Sequence, residues 1–408
     1  MENNLKKDLV WNTLGVTINA LTSLFYLIFV TRINGTESAG VFTFAFSTAL
    51  IVQVIGLYSG RVFQVTDNNE KVTDSDYIYS HMITSVAMIL IGIIFCIIKG
   101  YTFYKIIIIM MFILFRAIES FSDSVYAVIQ KNNELYKVGI SFTIKSVMSI
   151  LLFLMIDLIT RNIILSIIMI ILTQIVVLYY YDRKNAEKYL KNLDKFSKEN
   201  VIYIYKVGFY TFIFTILTQY VNNAPKYAID NYLTNTDQTI YGIISMPATA
   251  ILLLSQFLIH PYLLKLKNCI INKQIKQFNQ NIIKLILALV LFGIIGLLGT
   301  YLVGVPILQL VYGVKLSEYK LPLLIIILSS IFLSMVMLLS NALIAMRKTK
   351  GQTIIYVVVS IIAYVIAKIF VLNNFLLGAS EAYLYTMIIL FILYVIYYLL
   401  NIKKLSEV

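Results

Sequence analysis

A few residues of this chain carry chemistry, and they stand where polar chemistry is costly. Arg116, Glu119, Asp123, Lys145, Lys226, Asp230 and Lys368 interrupt runs that are otherwise solidly apolar. A charged side chain at the centre of a bilayer costs at least about 2.5–3.5 kcal/mol on insertion scales, so each marks a pathway, a relay, a binding site or a neutralising pair. At about 100° per residue, Arg116, Glu119 and Asp123 fall within about 60° of one another on a helix, with Ser120 and Ser124 beside them. Ser141, Lys145 and Ser149 recur every fourth residue and so share one face as well. These residues serve equally as an ion-pair clasp between two helices or as the lining of a water-filled cavity.

A second constellation lies near residue 220. Gln219, Asn222, Asn223, Lys226 and Asp230 project within a narrow arc, and Pro225 stands among them. Proline removes a backbone hydrogen bond, which predicts a helix bend here and again at Pro247 and Pro261. Lys226 and Asp230 suit a vestibule, and they suit equally a pair that snorkels to the membrane surface. Lys368 sits deep in a late apolar run, ahead of Asn373 and Asn374. The substrate-binding candidates are therefore Arg116, Lys145, Asn222, Asn223, Lys226 and Lys368. The ion-coupling candidates are Glu119, Asp123 and Asp230, the carboxylates that join basic residues on polar helix faces. Arg61 and Asp67 end the second apolar run and are candidates for a gate at the cytoplasmic side.

The elements that must position these groups follow from composition. The chain has 408 residues, 60% hydrophobic and 13% charged, with a mean hydropathy of +0.86. A soluble domain runs nearer 45–50% apolar and about 25% charged. Twelve apolar runs are long enough to cross a bilayer, at 10–31, 38–60, 78–98, 104–129, 139–159, 162–182, 202–224, 237–263, 282–304, 319–346, 353–373 and 379–400. They are too long and too uniformly apolar for barrel strands, so the fold class is all-α, a polytopic membrane protein. The widest polar interval, 183–200, divides the chain into an N-terminal six-helix bundle (1–182), a cytoplasmic linker and a C-terminal six-helix bundle (201–408). A short echo supports the duplication. Gly35-Thr36-Glu37 followed by Ser47-Thr48-Ala49 and Gln53 resembles Asn235-Thr236-Asp237 followed by Ala248-Thr249-Ala250 and Gln256.

Several classes are excluded. Two cysteines, Cys96 and Cys269, and two histidines, His81 and His260, offer no disulfide framework and no metal-ligand spacing. No phosphate loop is present, no outer loop is large enough to hold a catalytic constellation, and no cofactor is expected. The net charge of +13 comes from lysines and arginines set between the runs, the positive-inside pattern rather than a nucleic-acid surface. With the N-terminus inside, 22 of the 33 basic residues fall in cytoplasmic segments, 7 in outer segments and the rest within runs. Both termini are therefore expected in the cytoplasm.

Three stretches resemble the polysaccharide transport family of lipid-linked oligosaccharide flippases, relatives of the multidrug and toxic-compound extrusion antiporters. They are Asn12-Thr13-Leu14-Gly15 leading to Thr31-Arg32, then Arg61-Val62-Phe63-Gln64-Val65-Thr66-Asp67, and Asn222-Asn223-Ala224-Pro225-Lys226-Tyr227-Ala228-Ile229-Asp230 with Tyr241-Gly242-Ile243-Ile244-Ser245-Met246-Pro247-Ala248. The resemblance implies two bundles around a central cavity that opens alternately to each side of the cell membrane. It implies a cargo of undecaprenyl-diphosphate oligosaccharide moved to the outer leaflet for surface polysaccharide such as capsule or lipopolysaccharide, with polymerase and assembly proteins as possible partners. The alternatives are an ion-coupled drug antiporter of the same superfamily and, with less support from the short outer loops, a membrane-embedded polymerase.

The charge bias generates a topology test. In a background without Cys96 and Cys269, a single cysteine at Asn192 is expected to resist an impermeant thiol reagent in intact cells and to react after permeabilisation. Labelling in intact cells would reverse the orientation.

Overall fold

A computed structural model describes the whole chain except residues 1, 59, 68, 70, 191–196 and 407–408, and the side chains of 2–6 and 405–406. Lys191, Asn192 and Lys195 of the expected linker thus lie outside the described residues. Among the described residues there is no strand. The long elements are α1 (Glu2–Leu57), α3 (Asp74–Lys99), α4 (Phe103–Lys131), α5 (Leu135–Thr160), α6 (Ile163–Val177), α8 (Lys198–Tyr232), α9 (Asn235–Ile271), α10 (Ile275–Gly299), α12 (Lys320–Ala345) and α13 (Thr349–Ser406). Short helices α2 (Gly60–Thr66), α7 (Arg183–Glu187) and α11 (Val305–Tyr312) complete the set, with π-turns at Leu178–Asp182 and Thr300–Gly304.

Nine stretches among the described residues are long and apolar enough to cross a membrane. Two of them are double. In α1 the helix breaks at Gly35 (φ 86°), a backbone conformation that glycine adopts without steric cost. In α13 it breaks at Asn374 and Phe375, the latter at φ 52°. α4 has 29 residues and falls outside the nine because Arg116, Glu119 and Asp123 load it with charge. Counting α4 and dividing the two double helices gives the twelve-span plan of a multi-pass membrane protein.

The helices reach further than the apolar runs. The polar stretch Tyr227–Thr236 reads as an outer loop of about ten residues, yet only Leu233 and Thr234 separate α8 from α9. Thr234 and Asp237 form a reciprocal capping box, the Asp237 amide donating to Thr234 Oγ1 at 3.2 Å and the Thr234 amide to Asp237 Oδ2 at 3.0 Å. That cap satisfies the first amides of α9 and lets it start at once. Likewise, the stretch 306–318 reads as an outer loop of about a dozen residues, and α11 covers its first half. α8 and α9 continue as helices through Pro225, Pro247 and Pro261.

Contacts divide the chain into two compact units, Met1–Ile216 and Leu217–Val408, with the boundary inside α8. In the first unit, α1 packs on α3, α4 and α5, and α6 packs on α5 and α4. Two glycines make the α1–α5 crossing possible. A Cβ added at Gly15 would lie 2.2 Å from the Gly139 carbonyl oxygen, and one at Gly139 would lie 2.3 Å from the Trp11 carbonyl oxygen. Backbones in membranes approach this closely only through small residues. At the end of this unit that holds the N-terminus, Glu134 binds Lys137 at 2.7 Å and Lys188 at 2.9 Å, tying the α4–α5 turn to the segment after α7. Desolvation raises the Glu134 pKa, and hydrogen bonds from Lys137, Tyr189 and Lys188 outweigh it, holding the carboxyl at about 2.

In the second unit, α12 packs on α9, α10 and α13. Several of its buried hydrogen bonds join neutral groups. Ser334 donates to Ser255 at 3.0 Å, Ser340 to Gln352 at 2.6 Å, and Tyr394 to Gln352 at 3.1 Å.

The α1–α5 crossing generates a stability test. Gly139→Ala is expected to cost roughly 1–3 kcal/mol, the usual range for overpacking, read as a lowered Tm of the detergent-purified protein. Gly299→Ala, where a Cβ meets nothing within 4 Å, is expected to leave the Tm unchanged or raised.

Candidate functional site

The first unit encloses a cavity of about 240 Å³, and Arg116, Glu119, Asp123 and Lys145 all line it. Gln53, Asn19, Gln174 and Tyr126 complete much of the wall. The walls come from α1, α4, α5 and α6, so the charged face of α4 is turned toward the serine–lysine face of α5.

Each charge has a partner of opposite sign. The Arg116 guanidinium donates to Glu119 one turn away. It also lies over the rings of Phe46 and Phe115, 4.7 and 4.8 Å from their centroids. Gln53 donates to the same Glu119 oxygen at 3.3 Å. The Arg116 Nε is buried without a hydrogen-bond acceptor, so one edge of the fork keeps its donor capacity. Asp123 turns to α2, accepting from the Arg61 amide at 2.8 Å with the Arg61 Nε 3.7 Å away.

Lys145 is held more tightly. Its ammonium lies 2.8 Å from Asp182 Oδ2 and donates to Tyr126 OH at 2.7 Å and Ser122 Oγ at 3.2 Å. The Tyr126 hydroxyl reaches Ser141 at 2.9 Å and Asp182 at 3.3 Å. The side chains of Lys145 and Asp182 are 4% and 0% exposed, so their contact with each other and with these hydroxyls replaces most of the water each charge gave up. Asp182 Oδ1 is buried without a hydrogen bond. A buried ion pair is roughly neutral for stability as a pair, and losing one member costs about 3–5 kcal/mol.

The structure does not gather all the sequence candidates at this cavity. Arg61 reaches Asp123, while Asp67 accepts from Tyr77 OH at 2.6 Å and from the Asn69 amide at 3.0 Å. Asn222, Asn223, Lys226 and Asp230 belong to the second unit. There Asn223 is buried and donates to the Gln219 carbonyl at 3.0 Å, the Asn222 carbonyl oxygen is buried without a donor, and Lys226 and Asp230 are half-buried. Lys368 is exposed, next to exposed Ile361, Tyr364, Val365 and Ile369. Pro225 stands one turn from Asn222, and Pro247 and Pro261 lie on α9.

Asp182 and Asp157 are among the buried carboxylates that escape sequence reading. Asp182 closes an apolar run and looks like the start of the polar linker. The π-turn at Leu178–Asp182 adds a residue to one turn, so a 3.6-residue period places Asp182 on the wrong face. Asp157, 0% exposed, accepts from Asn34 at 3.0 Å and Ser166 at 3.2 Å, with Oδ2 unbonded. Among the described residues no group of three or more His, Cys, Asp or Glu is arranged to hold a metal ion.

No protein-family model matches the chain. The chain is 21% identical over 371 residues to the capsular polysaccharide biosynthesis protein CapF of Staphylococcus aureus, covering 89% of this chain and 91% of that protein. The lipid II flippase MurJ in its inward closed conformation superimposes with a TM-score of 0.69 at 16% identity, over 98% of this chain and 90% of that one. The Vibrio cholerae MATE transporter VcmN in its bent form gives a TM-score of 0.61 at 13% identity, over 100% and 98%. The chain has the fold of these membrane transporters and flippases along its whole length.

Proposed function

We propose that the protein moves a lipid-linked oligosaccharide carrying an undecaprenyl diphosphate from the inner to the outer leaflet of the cell membrane by alternating access, with both termini cytoplasmic, in the making of a surface polysaccharide such as capsule. The observation that carries this reading is the pairing of Arg116 and Lys145 with carboxylates around one cavity. Each cation is already neutralised, so an entering diphosphate exchanges one anion for another rather than meeting a bare charge. Phosphate accepts more hydrogen bonds than a carboxylate and matches the arginine fork. The unsatisfied Nε of Arg116 supplies a donor that Glu119 leaves unused. The full-length similarity to a capsular polysaccharide biosynthesis protein supports the same cargo class.

Exchange of anions also offers a coupling route. A phosphate that takes Arg116 leaves Glu119 without its cation, which favours uptake of a proton or sodium ion by that carboxylate. Binding of the two ligands is then linked reciprocally. The carboxylates also support a second reading, an ion-coupled antiporter of cationic molecules, because Glu119 and Asp123 line the same cavity.

In vesicles loaded with lipid-linked oligosaccharide, Arg116→Ala is expected to abolish transport at normal protein abundance. Arg116→Lys should recover it only in part, since the fork is lost. Lys145→Ala alone is expected to lower abundance by stranding Asp182, so the informative variant is Lys145→Gln with Asp182→Asn. That pair is expected to restore abundance and leave transport at least about tenfold reduced, the worth of one charge-assisted hydrogen bond. Full transport by the double variant would reduce Lys145 to a structural clasp. Export of organic cations without oligosaccharide transport would favour the antiporter.

Coupling is tested with imposed pH or sodium gradients. Glu119→Gln, Asp123→Asn and Asp230→Asn are compared, and at least one is expected to uncouple transport from the gradient. If each leaves gradient-driven transport unchanged, none of the three is individually the coupling site.

A further inference from the structure

Outside the cavity of the first unit, the second unit carries a groove of about 470 Å³ between α10 with its π-turn and α12. Leu297, Leu298, Tyr301, Leu324, Ile325 and Leu328 wall it. It lies within the roughly 300–1,000 Å³ range of small-molecule sites, and its wall is apolar throughout, Tyr301 included. The two helices meet tightly at one level, where a Cβ on Gly293 would lie 2.5 Å from Ile331. Higher up they part, and at Gly299 a Cβ would meet nothing within 4 Å.

One end of the groove is cationic. Lys320, the first residue of α12, rests its ammonium 3.8 Å from the centroid of the Tyr301 ring. α12 begins there without a side-chain cap, so its positive dipole end adds to the lysine charge. Glu318 and Asp237 line an adjoining pocket with Pro322 and Phe375, and Leu321 borders both it and the groove. Lys315 lies five residues before Lys320 in the sequence and is exposed.

We infer that this groove binds one anionic phospholipid, its acyl chain between α10 and α12 and its phosphate on Lys320. Dimensions favour a phospholipid over a polyprenyl chain. From Leu321 to Leu328 is seven residues of rise, about 10 Å, against about 15 Å for the hydrocarbon of one leaflet. The groove therefore takes most of one acyl chain directly beneath a headgroup held at the level of Lys320, and closes where Ile331 meets Gly293. A polyprenyl tail several times longer would leave most of its length outside.

The test is native mass spectrometry of the full-length protein in detergent with equal amounts of dioleoyl phosphatidylglycerol and dioleoyl phosphatidylcholine. Wild type is expected to retain one phosphatidylglycerol at least about tenfold over phosphatidylcholine. Lys320→Gln should abolish that preference, and Leu324→Trp, which fills the groove, should lower retention of both lipids. Arg161→Gln, which removes an exposed charge elsewhere, should change nothing. Equal retention of the two lipids by wild type, or an unchanged preference in Lys320→Gln, overturns the assignment. So does displacement of phosphatidylglycerol by an equimolar polyprenyl monophosphate.

Discussion

Neutralisation of buried charge governs the first unit. A charge in hydrocarbon is tolerated when an opposite charge and hydrogen-bond partners replace the water it gave up. Lys145 meets this condition with Asp182, Tyr126 and Ser122, and these contacts fix where α4, α5 and the end of α6 stand relative to one another. The π-turn at Leu178–Asp182 follows from the same demand, because a regular turn would carry the carboxylate to another face. Arg61 and Asp123 apply it to the short α2. The cavity is what remains between helices held together by these pairs.

In the second unit the contacts between helices include many neutral ones. Hydroxyl and amide bonds such as Ser334–Ser255 and Tyr394–Gln352 link its helices, and their loss strands a dipole rather than an ion. Neutral links of this kind exchange partners at lower cost than a salt bridge, while the paired charges of the first unit switch only when another ion replaces one member.

Much of this was legible in the sequence, for identifiable reasons. Twelve apolar runs give twelve spans because a bilayer leaves few alternatives. The face shared by Arg116, Glu119 and Asp123 follows from helical periodicity, and the serine–lysine repeat on α5 marked the opposing wall. Thr234 and Asp237 also spelled a capping box, yet the polar composition around them read as a loop. Asp182 was hidden because its face depends on a π-turn, which periodicity does not register. Gln53 and Gln174 are single amides in apolar helices, and only the packing of α1 and α6 shows that they face the cavity. Gly15 and Gly139 are 124 residues apart, so their contact is a tertiary fact without a local signal.

The load carried by α4 has a consequence for how the protein is made. A helix with Arg116, Glu119 and Asp123 within eight positions gains too little from its apolar residues to leave the translocon on its own. Glu119 is neutralised from within α4 and Asp123 by Arg61 of α2, which is made earlier, but the serine-rich wall has no cover until α5 emerges. α1 and α3 are synthesised earlier and can receive α4 at once; α5 follows within about thirty residues. Insertion of α4 is therefore a cooperative event of nascent-chain assembly, and the residues that line the cavity also set the order in which the first unit enters the bilayer.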